Sequence, residues 1–250
     1  MSKRTIAAII KDLKTKVNYR DEKPSKSKLC QTIKQSPNSI EAKLVTSPHA
    51  AILSSPLRYC SFSGRMLPSE LLLRFSTAWH PQTKLYWAFP TIGASKQGFG
   101  YYVKLDRKIL NELEKGAYKS LFRSNSIAFR KDMIEHTENM LKKQTFLEFT
   151  KHPIHIYDTF SMNALQQQRT SLTNYQCVLI LDSNINDVHI KLEGQQQVPY
   201  YYMQQFWSKE QIETIRAKLP PSTTMLGVPK CLETVRLAID LWRCKQILIT

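Results

Sequence analysis

Asp182, Asp187 and Glu193 are the nearest this chain comes to a local set of carboxylates able to hold a divalent cation, as a phosphodiester-cleaving enzyme requires. The segment from Asp182 to Asp187 is rich in Asn, Ser and Asp, whose short side chains bond to nearby backbone in turns, so the turn reading is preferred to catalysis. His152 and His155 flank Pro153. In an extended segment they point to opposite faces and cannot serve one site without a turn, which leaves a surface or capping role. Cys30, Cys60, Cys177, Cys231 and Cys244 are odd in number and scattered. No two have the close spacing that brings thiolates to one zinc ion, and they form no disulfide framework, which fits a reducing compartment. The glycines at 93, 98 and 100 lack the Lys-Ser/Thr ending of a phosphate loop, and no serine elbow or dinucleotide fingerprint occurs. No catalytic residue, cofactor or metal site is assigned.

Nucleic-acid binding has better support. Lys and Arg neutralise phosphates and release counterions, while aromatic rings stack on unpaired bases. Arg58, Arg65, Arg74, Lys84, Lys96 and Lys104 are interleaved with Tyr59, Phe62, Trp79, Phe99 and Tyr101. A second set joins Lys119, Arg123, Arg130 and Lys131 to Tyr118, Phe122 and Phe129. From these, Arg58, Arg65, Arg74, Lys96, Lys104, Arg123 and Arg130 are the candidate contacts. The competing reading makes the aromatics core and the bases a solvated surface.

The charge balance points the same way. The 250 residues carry a formal net charge of +16 at pH 7, with eleven Lys/Arg against four Asp/Glu in residues 1–50. On a helical wheel Ile6, Ile9, Ile10, Leu13 and Val17 share one arc, away from Arg4, Lys11 and Lys14. A basic amphipathic helix of this kind reads as a mitochondrial targeting segment. Asp12, Asp21 and Glu22 run against that pattern, and a solvated helix or an RNA-binding arm is the alternative. No uninterrupted apolar stretch is long enough to span a membrane, and no secretory signal is expected.

The elements that must position these residues are mixed. From Tyr19 to Ser47 polar and basic residues dominate, so a basic, largely disordered arm (1–50) is expected ahead of a single α+β (or α/β) domain (51–250). Strands are predicted at Lys84–Phe89 and Tyr101–Lys104. Tyr175–Leu181 and Val188–Leu192 read as a hairpin across the Asp182–Asp187 turn. Asp106 caps a short helix that Gly116 stops, and a polar helix runs from Lys131 to about Lys143. Ser208 and Gln211 form a capping box for a helix closed by Pro220-Pro221, and a last helix follows Pro229 to about Ile247.

The succession of Leu53-Ser-Ser-Pro-Leu-Arg58, Leu67-Pro68 with Leu71 to Leu73, Phe89-Pro-Thr91 with Lys96, Tyr101-Tyr-Val103, Val178-Leu-Ile-Leu-Asp182 with Val188 to Leu192, and the closing Leu237 to Leu248 resembles the fungal mitochondrial family called required for respiratory growth protein 8. The resemblance covers roughly residue 51 onward and brings no active-site residues with it. It implies a mitochondrial matrix protein needed for respiratory growth and for maintenance and expression of the mitochondrial genome, with mitochondrial RNA or RNA-processing and ribosomal proteins as partners. The expected function is therefore that of an RNA- or ribonucleoprotein-associated accessory factor in RNA processing. A metal-dependent nuclease using Asp182, Asp187 and Glu193, or a structural subunit of a mitochondrial ribonucleoprotein, are the alternatives.

Overall fold

A computed structural model describes residues 30, 31, 33, 35–93, 98–161, 174–181 and 198–249. The chain divides into two compact units, Met1–Lys43 and Leu44–Thr250. The second unit is a mixed α+β domain. A short helix, α1 (Ile40–Val45), forms within the Tyr19–Ser47 stretch whose composition suggests a linker, and a second, α2 (Pro48–Leu53), begins just ahead of Ala51. Ser47 caps α2 by accepting from the amide of Ala50, and Pro48 begins the helix, where its missing N–H costs nothing.

Two four-stranded sheets organise the second unit. The first has the order β5-β3-β4-β6, with β3 (Leu72–His80) between β4 (Leu85–Thr91) and β5 (Tyr101–Lys104), both antiparallel to it, and β6 (Ile127–Ala128) parallel to β4. The predicted strands at 84–89 and 101–104 are therefore not each other's partners; both pair with β3. Leu73, Phe75, Ala88 and Val103 share one buried face, consistent with the side-chain period of two. A small ribbon, β1 (Leu57–Tyr59) with β2 (Met66–Pro68), lies against the β5 edge, where the Ser61 amide donates to the carbonyl of Tyr102.

The second sheet has the order β7-β10-β8-β9, formed by Asp158–Phe160, Met225–Pro229, Tyr175–Ile180 and Tyr200–Tyr202. Strand β8 is covered on both faces. Cys177 and Leu179 join the main core, while Val178 and Ile180 join a smaller cluster with Met225 and Val198. The expected hairpin to Val188–Leu192 falls on residues outside the described set; both edges of β8 are taken, by antiparallel β10 and parallel β9. Strand β10 escapes a pattern reading because it contains Gly227 and Pro229. A Cβ at Gly227 would lie 2.7 Å from the rings of Phe160 and Tyr175, which meet edge to face across it.

Helices cover the core. Asp106 caps α3 (Arg107–Glu112) by accepting from the Lys108 amide at 3.0 Å, and Lys104 pairs with the same carboxylate. Burial pushes the Asp106 carboxyl up, but the Lys104 ammonium and the Lys108 amide hold it below its ordinary value overall. A wide turn at Leu113–Ala117, with Gly116 at φ +124°, ends that helix and leads into α4 (Tyr118–Phe122). Helix α5 (Met133–Thr150) is longer than its polar sequence suggests and packs on the last helix, α8 (Val235–Ile249). A short α6 (Met203–Phe206) precedes α7 (Lys209–Arg216), where both capping-box bonds between Ser208 and Gln211 are present. Trp207 is buried, its indole N–H donating to Thr145 Oγ1 on α5 at 2.9 Å.

One charged cluster ties the first sheet to α8. Glu70, in the turn before β3, receives Arg243 Nη1 at 3.1 Å and Arg236 Nη1 at 3.2 Å; Arg236 also grips Asp240 at 2.7 and 3.0 Å. Arg243 Nη2 donates to the Leu72 carbonyl at 3.2 Å. Asp240 is 0 % exposed, and burial pushes its carboxyl above the usual range despite the neighbouring guanidinium of Arg236.

Removing one member leaves its buried partners undercompensated, so Arg243→Met is expected to cost about 3–5 kcal/mol in urea unfolding. Lys115→Ala, at an exposed pair with Glu112, serves as the control with little change. Asp106→Ala is expected to cost about 1 kcal/mol at pH 7 through loss of the cap. Because the folded-state value is depressed, that contribution is present above the unfolded carboxylate range. It fades as pH falls through the folded value, so wild type and variant converge in acid unfolding curves.

Candidate nucleic-acid interface

Residues far apart in sequence meet at the outer edge of β5. Tyr59 and Ser61 of the ribbon, Phe99, Tyr101 and Tyr102 at β5, and Arg123 after α4 line a groove of about 560 Å³. It is built from the bottom by the core. Tyr101 meets Phe122 edge to face at 4.8 Å, and Phe99 meets Tyr101 in the same manner at 5.1 Å. These contacts fix the orientation of the Tyr101 and Phe99 rings, and Phe99 remains 79 % exposed. Fixed, exposed rings of this kind are suited to stacking on flat bases.

The ribbon is held in place by Cys60, whose sulfur accepts from the amides of Ser63 at 3.4 Å and Lys104 at 3.2 Å. Burial pushes the Cys60 thiol up, but the Ser63 and Lys104 bonds outweigh it and leave it below its ordinary value. With no exposed surface, this thiol acts as an anchor between β1 and β5.

Positive charge surrounds the groove. From Ala42 to Leu105 the sequence contains one acidic side chain, Glu70, and the α8 arginines engage it. Arg58 is exposed, with its guanidinium carbon 5.9 Å from the centroid of the Tyr102 ring. Lys104 shares the β5 face of Tyr102, being two residues on, but its ammonium is paired with Asp106 at 3.0 Å. Arg123 sits at the end of α4 with φ 51°, the left-handed conformation that closes the helix, and its exposed side chain borders the groove. Arg65 lies exposed in the turn between β1 and β2, its carbonyl accepting from the Cys60 amide.

Not every sequence candidate belongs to this surface. Arg74 is 3 % exposed, with Nη2 donating to the Gly98 carbonyl at 2.8 Å, and a Cβ at Gly100 would meet its Nε at 2.2 Å. Arg74 is thus a buried organiser of the β4–β5 connection rather than an exposed phosphate ligand. Arg130 belongs elsewhere, held in a bidentate pair with Asp132 at 2.7 and 2.9 Å. Lys96 lies outside the described residues, as do Asp182, Asp187, Glu193 and the basic amphipathic segment at the N-terminus. Ser54 and Ser55 bond back to the carbonyls of Ala51 and Ile52, and Arg58 is held by the β1–β2 pairing.

Among the described residues no group of three His, Cys, Asp or Glu side chains is placed to hold a metal ion, and no helix is long and apolar enough to cross a membrane. Tyr102 was hidden from sequence reasoning by the adjacent Tyr101: the two lie on opposite faces of β5, yet both are half-buried, pack against the core and line the groove. Compared with protein-family models, curated proteins and solved structures, the chain matches none.

Proposed function

We propose that this protein is an RNA-associated accessory factor of mitochondrial gene expression, holding an unpaired RNA segment in the groove beside β5. The observation that carries the reading is the meeting of Phe99, Tyr59 and Tyr102 with Arg58 and Arg123, in a stretch of chain (42–105) whose one acidic residue, Glu70, is engaged by Arg236 and Arg243. Aromatic faces take the bases without strong sequence preference, and the two guanidinium groups take phosphates through charge-assisted bonds. Unpaired strands suit this geometry better than duplex, whose bases are already stacked on one another. The mitochondrial setting is supported by the basic amphipathic N-terminal sequence and by the family resemblance from residue 51 onward. The groove offers binding and orientation, and the role it supports is that of a factor presenting RNA to other components.

Titration of the full chain with a fluorescent single-stranded RNA tests this reading. Binding is expected to weaken steeply between low and moderate salt. Arg58→Ala with Arg123→Ala should lower the slope of log K against log salt by roughly 1.4, from about 0.7 per lost phosphate contact. Phe99→Ala is expected to cost about 1–3 kcal/mol of binding with little change in that slope. No binding at low salt, or affinity indifferent to salt, overturns the proposal. Crosslinking in intact mitochondria then reads the compartment: recovery of transcripts with the wild-type chain, reduced in the double arginine variant, is the expected result.

A further inference from the structure

The same sheet carries a second cleft at its other edge. Strand β6 pairs with β4 only at Tyr86 and Trp87, after which residues 129–132 lead to α5. Between β4 and that segment lies a cleft of about 670 Å³, within the roughly 300–1,000 Å³ range of small-ligand sites. Its walls are aromatic and its rim is basic. Trp87, Phe89 and Phe129 supply the apolar surface, and Arg130, Lys131 and His136 the polar one.

The aromatic walls are held from behind. Phe129 stacks on Tyr118 at 4.9 Å and 7°, and also neighbours the buried Phe75 at 5.9 Å and Phe122 at 6.5 Å. The indole N–H of Trp87 donates to Thr83 Oγ1 at 2.8 Å. Thr83 in turn approaches His80 Nδ1 twice, its hydroxyl at 3.0 Å and its amide, as donor, at 3.3 Å. The amide makes Nδ1 an acceptor, so in the neutral ring the proton sits on Nε2. The chain Trp87, Thr83, His80 thereby fixes one ring plane and leaves one ring N–H of His80 available to a ligand.

The charges are also sorted. The Arg130 guanidinium holds the Asp132 carboxyl down to about 2, so the two remain a matched pair at any physiological pH. Lys131, exposed beside them, supplies the cleft's net positive charge. Burial and the Arg130 charge push the His136 imidazole below its ordinary value, outweighing Asp132, which leaves a neutral hydrogen-bonding ring near pH 7. An aromatic-walled cleft with one net positive charge at its rim complements an aromatic anion.

We propose that this cleft binds a nucleoside monophosphate unit, its base against Trp87 and Phe89 and its phosphate on Lys131. The unit is a free nucleotide or one residue of an RNA strand; the second source rests on the RNA-binding reading above, the first does not. The site is separate from the groove: the groove lies at β5 and the cleft on the other side of β3, at β4 and residues 129–136, and the two share no lining residue.

Calorimetric titration of the full chain with AMP, adenosine and inorganic phosphate tests the proposal. Saturable AMP binding is expected, tighter than that of adenosine or phosphate. Lys131→Glu should weaken AMP by about tenfold or more while leaving adenosine unchanged, and Phe89→Ser should weaken both. Both residues are on the surface, so neither change should unfold the domain. The Arg58→Ala, Arg123→Ala variant should bind AMP as wild type does, which separates this site from the groove. Competition of AMP by a single-stranded RNA identifies a strand unit, and AMP binding without such competition identifies a free nucleotide. No saturable AMP binding up to about 10 mM, equal affinity for AMP and phosphate, or indifference to Lys131→Glu overturns the proposal.

Discussion

The cluster of Glu70, Arg236, Asp240 and Arg243 is the constraint on which the domain's geometry depends. Two arginines and two acids balance one another in a largely buried setting, where each charge is tolerated only because the others are in place. Arg243 also takes the carbonyl at the first residue of β3, so the start of the central strand is tied to the last helix of the chain. Charge pairing of this kind has direction and distance requirements that apolar contact lacks. It therefore specifies the register between α8 and the first sheet, and through β3 the positions of β4 and β5.

The same cluster shapes the surface charge. By consuming Glu70 inside the domain, it leaves the sheet and ribbon from β1 to β5 with exposed cations and no exposed carboxylate from that stretch of sequence. A basic field over a surface draws in polyanions before any specific contact forms. The two clefts lie at the two edges of this sheet and differ in how they handle charge. Beside β5, Arg58 and Arg123 stand at the rim of exposed rings; beyond β4, the Arg130–Asp132 pair is internally matched and Lys131 carries the excess.

Local signals in the sequence translated faithfully into local structure. The Asp106 cap and the Ser208–Gln211 box describe interactions within a few residues, and both are present. Elements whose stability comes from distant partners were far less legible. Strand β3 combines a buried apolar half with an exposed half bearing Thr77, Trp79 and His80, so no single period marks it over nine residues. Strand β10 contains Gly227 and Pro229, residues that argue against a strand, and is central because Phe160 and Tyr175 close over the space the glycine leaves.

By itself the sequence determined the mixed α+β class, the helix caps and the excess of positive charge, because propensity, capping and net charge are local or additive. Which cation does what was decided only by tertiary structure. Arg74 reads in sequence like Arg58, yet Gly98 and Gly100 enclose the one while the other stands over Tyr102 in the open. The grooves likewise assemble residues from three or more separate segments, and burial, which sequence spacing does not encode, settles which aromatic faces the core and which faces water.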